Sequence, residues 1–413
     1  MNSEDISWQL FFAPGERVIA LPCWRKPRLY IVSKHWKQRW KDSEFYPAFK
    51  PRAKLFKLAV RILAACDFLP AKKAVAGPKV CSLKSAVSFS RLAVLVGVDG
   101  PTQKLIARCL DSDGRPVAYI KYGEKPLACE KIGNEADVLN RMASAPIGHD
   151  DISLPETAPQ LLWRGELGRG VALMISAVEG EMLDARLSAS ADSCQLMAVK
   201  EYLERLRISD VTFDIDDHPA IVRLRKQVAG VGDQRAGVCR QSSVISLQDF
   251  FEILAPLRAQ KWPVVIQHGD FTPWNTIRIS ESSVKSNVLG VTKEANLHPN
   301  NFEPKTFSAL KLKTGDGTSL RLCAIDWEEG TAEGFPYFDL VYYVLQSAFL
   351  IHHWSPAQAV PYALKLLVSD GLDEQQALAV IKLAALDACF RFESRTGAKA
   401  EALRQFRLNI INC

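Results

Sequence analysis

The sequence predicts a two-lobed α+β fold: an N-terminal extension (residues 1–85), a small antiparallel β-sheet lobe (86–176) and a larger, mainly helical lobe (177–413). Three observations predict it. Short runs rich in β-branched and aromatic residues fill the middle zone, a polar DSDGRP segment between two of them has hairpin-turn chemistry, and later apolar residues recur at helical spacing.

In chain order, the extension is basic and Pro-punctuated and ends in the apolar stretch LFKLAVRILAACDFL, which reads as an amphipathic helix. SFSRLAVLVG and KLIARCLD follow as strands, and VAYIKYG after the DSDGRP turn completes an antiparallel meander. ACEKIGNEADVLNRMASA places Ile132, Ala136 and Leu139 on one helical face, and VALMISAV is a fully apolar run suited to a buried strand. Beyond residue 177, DSCQLMAVKEYLERLR and SLQDFFEILAPLRAQ read as amphipathic helices, and VVIQHGDF as a strand running into a polar loop. LVYYVLQSAFL, AQAVPYALKLLVSD and EQQALAVIKLAALDACFRFESR make the tail helical, with Gly371 marking a helix end.

Composition narrows the class. With 48% hydrophobic and 24% charged residues in 413, the chain is of ordinary globular make-up. Its ten cysteines show no two-residue-gap pair of the zinc or redox kind, so they read as reduced packing residues. The start, MNSEDISWQLFF, lacks the charged-then-apolar pattern of a secretory signal, and no run reaches the ~20 apolar residues of a membrane span, which predicts a cytoplasmic location.

The chemistry concentrates in His268-Gly269-Asp270-Phe271-Thr272-Pro273-Trp274-Asn275, directly after Val264-Val265-Ile266. Transfer of a phosphoryl group to a hydroxyl needs a carboxylate to orient the hydroxyl and accept its proton, and oxygen ligands to hold Mg2+ against the phosphates of ATP. Asp270 suits the first role and Asn275, five positions on, the second. A second carboxylate, Asp326, ends the apolar run Leu322-Cys323-Ala324-Ile325 and supplies another hard oxygen ligand. Upstream, Lys121 near a strand end and Glu135 in the next helix have the types and order of a phosphate-holding ion pair, although each alone would ordinarily face water. Gly97 and Gly100, between the first two strands of the meander, would let backbone N–H groups approach phosphates; plain hairpin chemistry explains them equally well.

The whole pattern resembles the aminoglycoside phosphotransferase and choline kinase superfamily, of protein-kinase-like fold, whose signature is HGDxxxxN followed by a strand and an IDW or IDF triplet; the match runs from residue 90 to about 400. The resemblance implies Asp270 as catalytic base, Asn275 and Asp326 as magnesium ligands, and Lys121 with Glu135 as the phosphate-holding pair. It also implies that Ser176, Ala177 and Val178 form a hinge that cradles adenine. Phe335-Pro336-Tyr337-Phe338-Asp339-Leu340 resembles the family's P-x-x-D-L element, which makes Asp339, with His268, a structural anchor of the catalytic loop; an N-cap for the following helix is the other reading of Asp339.

The sequence departs from that pattern in the polar stretch 280–319, which separates the catalytic loop from Asp326 and reads as an insertion. A protein kinase would show HRD with a Lys two residues after its Asp, then DFG and APE. Gly269, Thr272 and the DWE triplet stand here instead, favouring a small-molecule acceptor: a sugar, amino sugar or amino alcohol, with an envelope glycan precursor among the candidates. Glu328, Glu329 and Glu333 would pair with a cationic acceptor, or form a solvated loop. The competing reading is a catalytically inactive kinase-like binding or scaffold protein. The basic, aromatic stretch 24–73 is either a solvated face or a peripheral contact with the inner face of an anionic membrane. No specific nucleic-acid partner is expected.

Overall fold

Eight antiparallel strands form the main sheet of the computed structural model, which describes residues 8–32, 34–47, 51–74, 87–144, 157–187, 193–207, 211–230, 245–279 and 321–413. The 280–319 insertion lies outside the described residues. The chain is α+β and divides into two compact units, one holding residues up to Asp137 with Pro159–Ala177, the other Val138–Ala158 and most of the chain from Val178 onward.

The first unit runs β1 (Arg17–Leu21), β2 (Leu29–Val32), α1 (Trp36–Asp42), α2 (Pro51–Ala65), β3 (Ala71–Lys73), β4 (Arg91–Val96), β5 (Leu105–Leu110), β6 (Pro116–Gly123), α3 (Pro126–Ser144, of which Val138 onward falls in the second unit), β7 (Leu161–Leu167) and β8 (Gly170–Ser176). The spatial order is β3-β1-β2-β4-β5-β6-β8-β7. The meander expected from the sequence is thus β4, β5 and β6. The segment set apart as an extension supplies three further strands to the same sheet, with Leu29, Tyr30 and Ile31 pairing with Leu95, Val94 and Ala93.

β1 and β2 gave no alternating signal because both faces of this part of the sheet are covered, whereas β3 is a three-residue, largely exposed edge. Side chains alternate along a strand, so Val18, Ala20, Tyr30 and Val32 enter one core, while Ile19, Leu21, Leu29 and Ile31 enter another with Val60 and Ala64 of α2. A strand buried on both faces reads as a short apolar run, which periodicity alone cannot assign. Trp8 stacks on Tyr30 at 5.2 Å and closes one end of the first core.

The second unit contains β9 (Glu181–Met182), α4 (Cys194–Glu204), β10 (Thr212–Phe213), α5 (Pro219–Val228), α6 (Leu247–Leu254), β11 (Trp262–Pro263), β12 (Val265–Gln267), β13 (Thr276–Ile279), β14 (Arg321–Ala324), β15 (Thr331–Gly334), α7 (Phe338–Ser347), α8 (Pro356–Val368), α9 (Glu374–Arg391) and α10 (Ala398–Ile411). Capping boxes start three of the helices: Ser246 with Asp249, Ser355 with Gln358, and Asp373 with Gln376. All ten residues of α7 are buried. α9 carries small buried residues, Ala377, Ala379, Ala384, Ala385 and Ala388, which let neighbouring helices approach it closely.

His218 ends the turn before α5 and is fully buried. Its Nδ1 accepts from Ala220 N at 3.3 Å and its Nε2 lies 3.1 Å from the Pro263 carbonyl. Burial lowers its pKa to about 4. An unfolded His titrates near 6.5, so between those values the unfolded chain binds a proton that the folded chain does not, and stability is lost as pH falls through that window. Urea unfolding at pH 7 and pH 5 is expected to differ by about 2 kcal/mol more in the wild type than in His218→Asn. Equal pH dependence in both proteins would refute the assignment.

Candidate phosphoryl-transfer site

Each unit carries part of the predicted chemistry. In the first, β6 and α3 bring Lys121 and Glu135 together: Lys121 Nζ lies 2.8 and 2.7 Å from the two Glu135 carboxylate oxygens. The side chains are only 8% and 1% exposed, so this is a desolvated pair and not a surface contact. It forms because Lys121 is held between Ile106 on β5 and Leu173 on β8, on a strand buried around it. A buried pair of this kind gives little net stability, yet removing one partner strands the other charge.

The loop from β4 to β5 is closed by Gly97 N donating to the Lys104 carbonyl at 2.8 Å. A Cβ on Gly97 would lie 2.8 Å from that same oxygen, so the close approach requires glycine, whereas Gly100 has φ +153 and open space around it. Lys125, which no sequence signal singled out, donates to the Gly100 carbonyl at 2.8 Å and holds the loop tip. At the end of β8, Ser176 Oγ accepts from Gln160 N and the Ser176 N–H donates to the Gln160 carbonyl, both at 2.9 Å. Ala177 and Val178 fall on either side of the division between the units.

In the second unit the loop after β12 is locked by groups far away in sequence. Asp339, in the first turn of α7, accepts from His268 N at 2.6 Å and from Gly269 N at 2.9 Å. Its carboxylate is therefore used on the loop, and Tyr337 takes the N-cap position. Burial raises the Asp339 pKa, opposed by His268 and the two N–H groups. The ring of His268 has both nitrogens engaged: Asp270 N donates to Nδ1 at 3.3 Å, and Nε2 lies 2.9 Å from the Ile325 carbonyl. A carbonyl only accepts, so the proton belongs on Nε2. Gly269 has φ +80, and a Cβ there would collide with the Glu329 carbonyl and with Arg391 Nη1, which explains glycine at this position.

Past Asp270, Pro273 opens a single 3-10 turn that delivers Asn275 to the start of β13. Thr276 pairs with Ala324 of β14, and Ile325 N donates to the Asn275 carbonyl at 2.9 Å. The segments bearing Asn275 and Asp326 are thus stitched side by side. Asn275 Nδ2 donates to the Asp270 carbonyl at 3.0 Å, which sets the carboxamide's orientation; its oxygen is the group a cation would take. Asp326 sits in the left-handed region, φ 71 and ψ 57, held by the turn of buried Trp327, whose Nε1 donates to the Ala324 carbonyl at 2.9 Å. Such backbone strain persists where surrounding structure enforces it and is common at functional sites.

Asp270, Asn275 and Asp326 are all partly exposed while the loops beneath them are buried. Their donors, one carboxamide and one carboxylate beside the proposed base, fit Mg2+, which takes one or two protein oxygens and completes its shell with phosphate and water. Among the described residues no group of three or more His, Cys, Asp or Glu could hold a metal ion alone.

Several site residues carry no signal in the sequence. Tyr342 of α7 donates its hydroxyl to Asp270 Oδ1 at 2.8 Å, and burial pushes the Tyr342 pKa well up, with the charge of Asp270 adding to the shift. Arg395, past the end of α9, lies 3.1 Å from Asp270 Oδ2 and stacks on Phe392. Arg391 donates to the Glu329 carbonyl and pairs with Asp387, which also accepts from Gln267 Nε2 at 3.3 Å. Only the one-turn spacing of Asp387 and Arg391 is visible in the sequence. Of the acidic residues after Asp326, Glu328 and Glu329 are partly buried and Glu333 is exposed.

No family model matches the chain, and no curated protein does. Among solved structures it is similar to a Plasmodium vivax ethanolamine kinase at 9% identity and TM-score 0.44, covering 92% of this chain and 93% of that one. It is similar to an aminoglycoside-3'-phosphotransferase of type VIII at 15% identity and TM-score 0.40, covering 75% and 97%. A putative fructosamine-3-kinase from Haemophilus somnus matches at 10% identity and TM-score 0.37, covering 77% and 92%.

Proposed function

We propose that the chain is an ATP-dependent phosphotransferase acting on the hydroxyl of a small molecule, of the sugar, amino sugar or amino alcohol kind. The observation that supports it most is the catalytic loop itself. Asp270, Asn275 and Asp326 stand partly exposed on backbone that Asp339, His268 and Ile325 lock with five hydrogen bonds of 2.6–3.3 Å. Phosphoryl transfer draws its catalysis from positioning and charge stabilisation, so a rigid oxygen-rich loop is what it needs.

In this reading Asp270 orients the acceptor hydroxyl and takes its proton as the oxygen bonds to the γ-phosphorus and the bond to ADP breaks. Tyr342 fixes one oxygen of Asp270 and leaves the other for the acceptor to share with Arg395. Asn275 and Asp326 would hold Mg2+, which would neutralise phosphate charge. Lys121, kept in place by Glu135, contacts the non-transferred phosphates, and the Gly97–Gly100 loop offers N–H groups to them.

The test is Mg2+-dependent ADP release from ATP across a panel of sugars, amino sugars, aminoglycosides and amino alcohols. Asp326→Asn is the comparison, because Asn tolerates the left-handed backbone while removing the charge. Acceptor-stimulated release in the wild type, with a raised Mg2+ requirement in the variant, is expected. Absence of nucleotide binding would leave a kinase-like scaffold in its place.

A further inference from the structure

The first unit carries an apolar surface that the proposed chemistry does not use. α2 is fixed to the sheet by Val60 and Ala64, and two inward-leaning cations are spent on the protein. Lys57 Nζ donates to the Glu44 carbonyl, and Arg61 lies over the Trp40 ring at 4.2 Å. The outward side of the same helix is also apolar. Leu55, Leu58, Ala59 and Ile62 follow i, i+3, i+4, i+7 spacing and are all exposed, with Leu55 at 71% and Ile62 at 48%. Phe56 and Leu63 flank this stripe, and Phe68, just beyond the helix, is 75% exposed. A contiguous exposed apolar stripe on a soluble fold ordinarily marks a binding surface.

Charge identifies the occupant. Residues 34–73 contain eleven Lys and Arg against three Asp and Glu, a net of +8, whereas the whole chain is only +6, so the rest of the protein is net negative. α2 itself contains Arg52, Lys54, Lys57 and Arg61 and no acidic residue. Arg52 and Lys54, on the helix beside the stripe, are exposed, as are Lys72 and Lys73 on β3. At 15 residues the helix is about 22 Å long, and no helix among the described residues is long and apolar enough to cross a membrane. An apolar stripe bordered by cations and lacking carboxylates suits a helix lying in the headgroup boundary of an anionic bilayer. A second copy would bring like charges together, and a nucleic acid would make no use of exposed leucine and isoleucine.

We propose that the outward face of α2, with the cations around it, docks the protein peripherally on an anionic phospholipid surface. This stands apart from the catalytic assignment and is tested without it. The full chain is co-sedimented with phosphatidylcholine vesicles with and without phosphatidylglycerol, at low and high salt. It is compared with Leu55→Ser/Leu58→Ser/Ile62→Ser and with Arg52→Gln/Lys54→Gln, whose side chains are exposed and outside the core, folding being checked by thermal melting.

Binding only to phosphatidylglycerol vesicles, weakened by salt, is the expected result. The serine variant should lower the partition coefficient at least about a hundredfold and each removed cation about fivefold. No vesicle binding by the wild type would overturn the proposal. So would unchanged binding by the serine variant, especially if an oligonucleotide competes, since that is the behaviour of a polyanion site. Self-association in sedimentation equilibrium that the serine variant abolishes would assign the face to a second copy and equally overturn it.

Discussion

Asp270→Asn is expected to lower kcat for acceptor phosphorylation by about 10²–10⁴-fold, the range that a positioned general base contributes. The substitution keeps the size of the side chain and an oxygen for either Tyr342 or Arg395, and it removes the group that can take the acceptor's proton. The fold should be little changed, because Arg395 is 46% exposed and loses only a weakly valued, solvent-screened pairing. Steady-state ADP release with the best acceptor, beside a thermal melt, separates the two effects. A folded Asp270→Asn protein with wild-type kcat would remove Asp270 from the base role and send the search to another carboxylate.

The second large effect falls on the ion pair of the first unit. Lys121→Ala leaves Glu135 buried without its cation, which costs about 3–5 kcal/mol, whereas replacing both partners by apolar residues of similar size is close to neutral. Lys121→Met/Glu135→Leu should therefore melt near the wild type while Lys121→Ala melts well below it. Both variants should lose ATP affinity, since the cation proposed to contact the phosphates is gone from each. If the apolar double variant kept wild-type ATP binding, Lys121 would be a packing residue and its phosphate role would fall.

The two predictions concern different units, and the contacts that hold their residues differ in range. The pair in the first unit is a contact whose partners lie 14 residues apart, on a strand and the helix directly after it. The carboxylate of the second unit is engaged from much farther away: Tyr342 lies 72 residues beyond Asp270 and Arg395 lies 125 beyond. Asp339 reaches the loop's backbone across 71 and 70 residues. Long-range clamps of this kind make the loop rigid, and they impose no short spacing that a sequence would display.

What the sequence determined by itself is what depends on near neighbours. The β4–β6 meander, α3, the α8–α9 hairpin and the run from His268 to Asn275 are legible because alternation, helical period and turn chemistry act over a few residues. The identity and spacing of Asp270, Asn275 and Asp326 likewise suggest the proposed chemistry from the sequence alone. Tertiary structure alone decided that β1, β2 and β3 belong to the sheet, because burial on both faces erases the alternation of β1 and β2, and β3 is only three residues long. It alone set Tyr342 and Arg395 on Asp270, and it left the outer face of α2 in solvent. A helix with apolar residues on two sides leaves open from sequence which side is covered, and only the packed neighbours show which one the fold buries.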